Sequence, residues 1–201
     1  MKRLRWLFAW TGVALIAAQL MLVLVSWLLS ATQTGNVHSL LSNEGVRWFL
    51  GQFAAMLATP FLSWLLLLSM AGGCLWQSGL LTCLSTRPSL LTYRQRIALR
   101  LSVVLLVLYM VVIVLLSVIP HAVLLSATGR LFPSPFSRAL VPIIAFGVLL
   151  LSVAYGRASG RFISIATMFD SLSFGIGQAA PLLILYVLFI QFYESLQYVF
   201  F

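Results

Sequence analysis

Leu101-Ser-Val-Val-Leu-Leu-Val-Leu-Tyr-Met-Val-Val-Ile-Val-Leu-Leu-Ser-Val118 carries no acidic or basic side chain over eighteen consecutive residues. At about 1.5 Å of helical rise per residue that run reaches about 27 Å, close to the roughly 30 Å hydrocarbon core of a bilayer. Its flanks extend the apolar stretch to 97–119. Four further runs of the same kind lie near 7–30, 52–75, 139–156 and 180–200, separated by segments that hold Gly, Pro, Ser and nearly all the Arg. The pattern predicts an all-α membrane protein with about five transmembrane helices in one domain over 1–201.

Composition supports that reading. Hydrophobic residues make up 62% of the chain and charged residues 7%, against roughly 45–50% and about 25% in soluble domains. So few charges cannot cover a water-facing surface, which argues against a soluble enzyme, a disordered tail or a nucleic-acid binder. The expected solvent is a lipid bilayer. The net charge of +9, which in a soluble chain would suggest nucleic acid, is read instead from where the basic residues fall.

With the amino terminus inside, the inner connections hold Lys2, Arg3, Arg5, Arg87, Arg94, Arg96, Arg100, Arg157 and Arg161, and the outer ones hold Arg47, Arg130 and Arg138. That asymmetry follows the positive-inside rule and places Phe201 outside. The basic start before Leu7–Ser30 has the form of a leader, but the apolar stretch is long enough to span and lacks a persuasive small-residue cleavage site, so it is read as a retained first helix. Trp6, Trp27 and Trp48 fit the aromatic belts at the two interfaces.

Two connecting stretches predict amphipathic helices lying on the membrane. In the first, Ser42 and Asn43 are N-cap types, Glu44 suits the first turn, and Val46, Phe49, Leu50 and Phe53 recur at helical spacing. In the second, over 161–174, Phe162, Ile165, Phe169 and Leu172 oppose Ser164, Thr167 and Ser171, so that it rests at the inner interface or dips inward as a re-entrant segment. Pro88, in the Arg-rich connection 84–100, marks the expected hinge or docking loop.

Candidate chemistry is sparse. Ionisable groups at membrane depth are costly and survive mainly for a purpose. Glu44 and Asp170 fall in the interfacial stretches, and Glu194 lies within one or two turns of the outer end of the last span. Gln19 and Gln191 sit deeper, and each amide must find a hydrogen-bond partner where there is no water. Gly72 and Gly73 permit close helix approach, Ser78 follows them, and Pro60 and Pro142 fall within or near the start of spans two and four. Gly175-Ile-Gly177 lacks the third glycine and the strand-turn-helix setting of a nucleotide loop. Cys74 and Cys83 are too few for a disulfide framework or a metal site. His38 and His121 stand apart, and no H-E-x-x-H or G-x-S-x-G occurs, so the chain is not expected to be an enzyme, nor to need a cofactor or metal.

The segment Leu40-Leu-Ser-Asn-Glu-Gly-Val-Arg-Trp-Phe-Leu50, followed by Gln77-Ser-Gly-Leu-Leu81, resembles the amino-terminal part of the AbgT family of p-aminobenzoyl-glutamate transporters. Its members carry "LLSxEGxRWFL" after the first helix and a "KSGLL"-like turn after the second. Gly129-Arg130 with Pro133 or Pro135 is similar to the family's "GRHP" loop, and Ile190-Gln191-Phe192 to its "AAQF" helix. The resemblance implies a homodimeric bacterial inner-membrane protein that moves p-aminobenzoyl-glutamate or a related organic anion by ion coupling. Departures accompany it. Full-length members are more than twice as long and build much of their site from two helical hairpins. Trp76 stands where the family has an acid, Gln197 and Tyr198 where it has Asn and Trp, and no Asp occurs from Leu101 to Pro120.

Two functions follow from these residues. One is a shortened AbgT-like transporter, with Arg87, Arg94 and Arg96 attracting the anion and a pathway beside span two. The other is a non-transporting membrane scaffold or subunit that keeps only the family's supporting helices and offers a dimer or partner surface.

Overall fold

The computed structural model describes residues 2–32, 38–85, 91–118 and 135–201. The expectations for Arg87, Pro88, Pro120, His121, Gly129, Arg130 and Pro133 lie outside them. The described chain is helical throughout: α1 (Lys2–Ala31), α2 (Asn43–Gly51), α3 (Phe53–Leu57), α4 (Pro60–Ser78), α5 (Leu80–Ser85), α6 (Tyr93–Val118), α7 (Pro135–Ser159) and α8 (Ile165–Phe200). Five of these, α1, α4, α6, α7 and α8, are long and apolar enough to cross a membrane. The molecule is an all-α, multi-pass membrane protein.

Local chemistry sets the helix starts. Ser42 caps α2, its hydroxyl accepting from Gly45 N at 3.0 Å. At α6 the Gln95 side chain reaches back to accept from Thr92 N at 3.0 Å, half of a capping box. At α8, Ser164 N donates to Thr167 Oγ1 and Thr167 N to Ser164 Oγ, both at 3.3 Å.

Two boundaries differ from the sequence reading. Span two begins at Pro60 rather than near 52, after a break at 58–59, because a residue preceding proline is disfavoured in the α conformation. The 161–174 stretch is no separate helix: Phe162 belongs to the turn after α7, and Ile165 onward is the opening of the 36-residue α8. Its two glycines, Gly175 and Gly177, remain within the helix. Pro181 also lies inside α8, leaving the Gly177 carbonyl without its usual i+4 donor.

Contacts divide the chain into two compact units, 1–63 with 179–201, and 64–178. In the first, α1 and the end of α8 run parallel: Gly12 lies by Leu185 and Leu188, Gln19 by Ser195, and Leu22 by Val199. His38 N donates to Val199 O at 3.2 Å, closing the end of α8. Trp48 stacks on Tyr198 with centroids 4.2 Å apart. In the second unit α6 and α7 are antiparallel, with Ala98 packed near Tyr155 and the Tyr109 hydroxyl donating to Ile143 O at 2.8 Å. Also in that unit, α4 and the start of α8 are antiparallel, pairing Ser69 with Gly175 and Cys74 with Ser171.

Serine is the commonest polar residue in these spans, and its hydroxyl needs no outside partner. Ser26 donates to Val23 O, Ser69 to Leu66 O, Ser102 to Ala98 O, Ser152 to Val148 O and Ser171 to Met168 O, all at 2.6–2.9 Å. Each returns its proton to the preceding turn, so a buried serine in lipid is satisfied by its own helix. A glutamine has a longer arm and two polar atoms to satisfy, and this device does not serve it.

Candidate functional site

Gln19 projects from α1 and donates from Nε2 to Ser195 Oγ at 2.9 Å. This is the interhelical hydrogen bond expected for it. Its Oε1, however, is buried without a partner. Gln191, one turn before Ser195 on the same face of α8, is 7% exposed, and both its Nε2 and its Oε1 lack any partner. Three amide atoms are therefore unsatisfied within one small region of the first unit. A buried unpaired donor or acceptor costs about 1–3 kcal/mol, so the cluster is held against a steady penalty. Glu194 follows on a neighbouring face, half-buried and within two turns of the end of α8.

An open apolar groove of about 340 Å³ lies along the same α1–α8 contact, lined by Phe8, Gly12, Ile16, Pro181, Leu185 and Leu188. Gly12 makes room for it by having no side chain. Ile16 stands three residues before Gln19, and Leu188 three before Gln191. Residues so spaced are neighbours on a helix surface, and the groove therefore ends one turn from the amides. The arrangement offers a flat apolar slot with amide donors and acceptors at one end.

Of the remaining predicted residues, Gly73 and Ser78 do structural work and Gly72 does not. Gly72 faces open space. Gly73 is the close-approach residue: a Cβ there would overlap the Gly175 backbone and stand 2.7 Å from Ser171 O. A Cβ on Gly175 would overlap Ser69 O and lie 2.9 Å from Gly73 Cα and N. The two helices meet backbone to backbone through Ser69-x-x-x-Gly73 and Ser171-x-x-x-Gly175, the small-residue crossing of membrane helices. Sequence reasoning missed Gly175 by testing it only as a nucleotide loop. The paired four-residue spacing was the available signal. At this level α4 and α8 are in direct backbone contact.

Ser78 is fully buried, its hydroxyl donating to Leu75 O at 3.0 Å and accepting from Leu80 N at 3.3 Å. It caps the turn at Gly79, whose φ of 76° suits glycine. Gly45 of the first motif is equally constrained: a Cβ would stand 2.7 Å from Leu40 Cα and O. Gly45, Ser78 and Gly79 thus hold turns and close contacts. Among the described residues no group of three or more His, Cys, Asp or Glu is placed to hold a metal ion.

Compared with known proteins, the chain matches no family model, no curated protein and no solved structure.

Proposed function

We propose that the protein is an AbgT-like transporter of the bacterial inner membrane, a homodimer with its amino terminus inside and its carboxyl terminus outside. It moves p-aminobenzoyl-glutamate or a related organic anion by ion coupling. One observation carries this reading: the unpaired, buried Gln191 amide beside the Gln19–Ser195 bond, at the end of an apolar groove. A ligand with an aromatic ring and an amide linkage matches both halves of that surface. The ring occupies the slot, and the amide supplies the hydrogen bonds that Gln191 lacks. Uptake of labelled p-aminobenzoyl-glutamate into proteoliposomes under an imposed proton or sodium gradient tests the proposal. Gradient-dependent uptake above empty vesicles is expected, and uptake equal to empty vesicles rejects it.

A second reading, a non-transporting scaffold or subunit, draws on a different observation. Gly45, Ser78 and Gly79, all within the family-like motifs, have folding roles that any supporting helix bundle would need. Extraction in mild detergent separates the two readings. A stoichiometric partner without measurable uptake favours the scaffold, and a clean homodimer with uptake favours the transporter.

A further inference from the structure

We infer that the second unit carries a discrete site for the phosphate of an anionic phospholipid, built by Arg94 and Arg161 around the turn that joins α7 to α8. The inference does not depend on what the protein moves. It begins with two glycines. Gly160 has φ 84° and ends α7, its N–H donating to Arg157 O at 3.2 Å while Phe162 N donates to Gly156 O at 2.9 Å. That reversal drives Phe162 inward, to 3% exposure, and sends Arg161 outward. The Arg161 guanidinium then settles on Gly79: a Cβ there would be 2.6 Å from Cζ and 2.8 Å from Nε. From the start of α6 the Arg94 guanidinium reaches Gly160, the residue before Arg161, with Nη1 3.7 Å from where a Gly160 Cβ would stand.

Both arginines are solvent-exposed, and the two glycines that receive them place no side chain in the way. A third, Arg157, is already committed, donating from Nη1 to Phe162 O at 3.1 Å and Ile163 O at 2.6 Å. It fixes the turn. The whole sequence has three acids, Glu44, Asp170 and Glu194, against twelve Lys and Arg. Counter-charge for this cluster has to come largely from outside the chain. Guanidinium groups match phosphate oxygens in geometry as well as charge.

What distinguishes a lipid from a soluble anion is the apolar surface next to the arginines. Ile163 is 78% exposed, Ile165 84% and Phe169 67%, within eight residues of Arg161. Such side chains beside a basic turn belong at the boundary between head groups and acyl chains. A phospholipid satisfies both features at once, its phosphate on Arg94 and Arg161 and its chains against Ile163, Ile165 and Phe169.

Native mass spectrometry of the purified protein, titrated with phosphatidylglycerol or phosphatidylcholine, tests the site. Wild type should retain phosphatidylglycerol preferentially, with Arg94 and Arg161 each contributing roughly a fivefold preference. Arg94→Gln should lower the preference about fivefold and the Arg94→Gln/Arg161→Gln double variant about 25-fold, by the same reasoning. Arg94→Gln changes a side chain at the rim of the turn and leaves the Gly79 contact intact, so it remains informative if the double variant does not fold. Arg100→Gln removes the same charge farther along α6 and should change the preference less than twofold. Equal retention of both lipids by wild type overturns the inference, as does an Arg100→Gln loss as large as that of Arg94→Gln. Displacement of bound phosphatidylglycerol by an equimolar amount of glycerol phosphate would assign the arginines to a soluble phosphate and overturn the lipid assignment.

Discussion

The two helix contacts made by α8 solve the problem of packing in lipid in opposite ways. In the 64–178 unit, α8 meets α4 through glycines and serines, with hydroxyls satisfied inside their own helices and backbones too close to admit a methyl group. In the unit of 1–63 with 179–201, α8 meets α1 through glutamine and a groove, with the Gln19–Ser195 hydrogen bond and, among the described residues, three amide atoms left over. The first contact leaves nothing for a ligand to add. The second keeps unfulfilled hydrogen-bonding capacity where lipid cannot meet it. A bundle selected for stability alone has no reason to keep Gln191, since an apolar residue of the same shape would avoid the penalty.

The largest expected effect comes from filling the tight crossing. Gly175→Leu must push α4 and α8 apart, and overpacking of this kind costs about 1–3 kcal/mol, occasionally more. Loss of folded protein on size exclusion, or a correspondingly lower unfolding midpoint in detergent, checks it. Gly72→Leu, next to the Gly73 of that crossing in sequence but facing open space, should leave the midpoint nearly unchanged. If the two variants behave alike, the crossing is not where the stability resides.

Next in size is Gly79→Ala. It forces an alanine into the left-handed region, costing roughly 1–2 kcal/mol, and drives a methyl group into the Arg161 guanidinium. Thermal unfolding monitored by circular dichroism should show the drop. At the looser contact, Gln19→Leu removes the bond to Ser195, and pairs of this kind average about 0.6 kcal/mol in membrane bundles. A measured loss several times larger would mean that the α1–α8 contact is as specific as the glycine crossing. The smallest effect belongs to Arg47→Ala, on the exposed side of α2. It should shift stability within about 0.5 kcal/mol and leave uptake intact.

Much of the architecture was legible because it depends on local properties. Five apolar runs are long enough to span whatever they pack against, and the Ser42 cap with Glu44 behind it announces α2 without tertiary help. Gln19 was legible as an interhelical donor for the same reason: an amide in lipid has few other options. The misses depended on which face of a helix turns inward or on where a helix ends. Gly72 and Gly73 are adjacent in sequence yet 100° apart around α4, so naming the pair could not say which one touches α8. Gly175 needed the partner helix before its role had meaning. Phe162 fits the apolar stripe of 161–174 on paper, but the glycine at 160 ends one helix there and the next begins at Ile165. That Gln191 lacks a partner while Gln19 has one is a fact about two side chains meeting, and no spacing in either helix encodes it.

Gln191→Leu tests the contrast most directly, because it replaces the unpaired amide by an apolar side chain of similar size. Unfolding midpoint and gradient-driven uptake of labelled p-aminobenzoyl-glutamate should be measured on the same reconstituted protein. The predicted result is an unfolding free energy unchanged or raised by about 1 kcal/mol, with uptake reduced to the level of empty vesicles. A variant that is less stable than wild type yet transports at the wild-type rate would contradict the account, and would make Gln191 part of the packing.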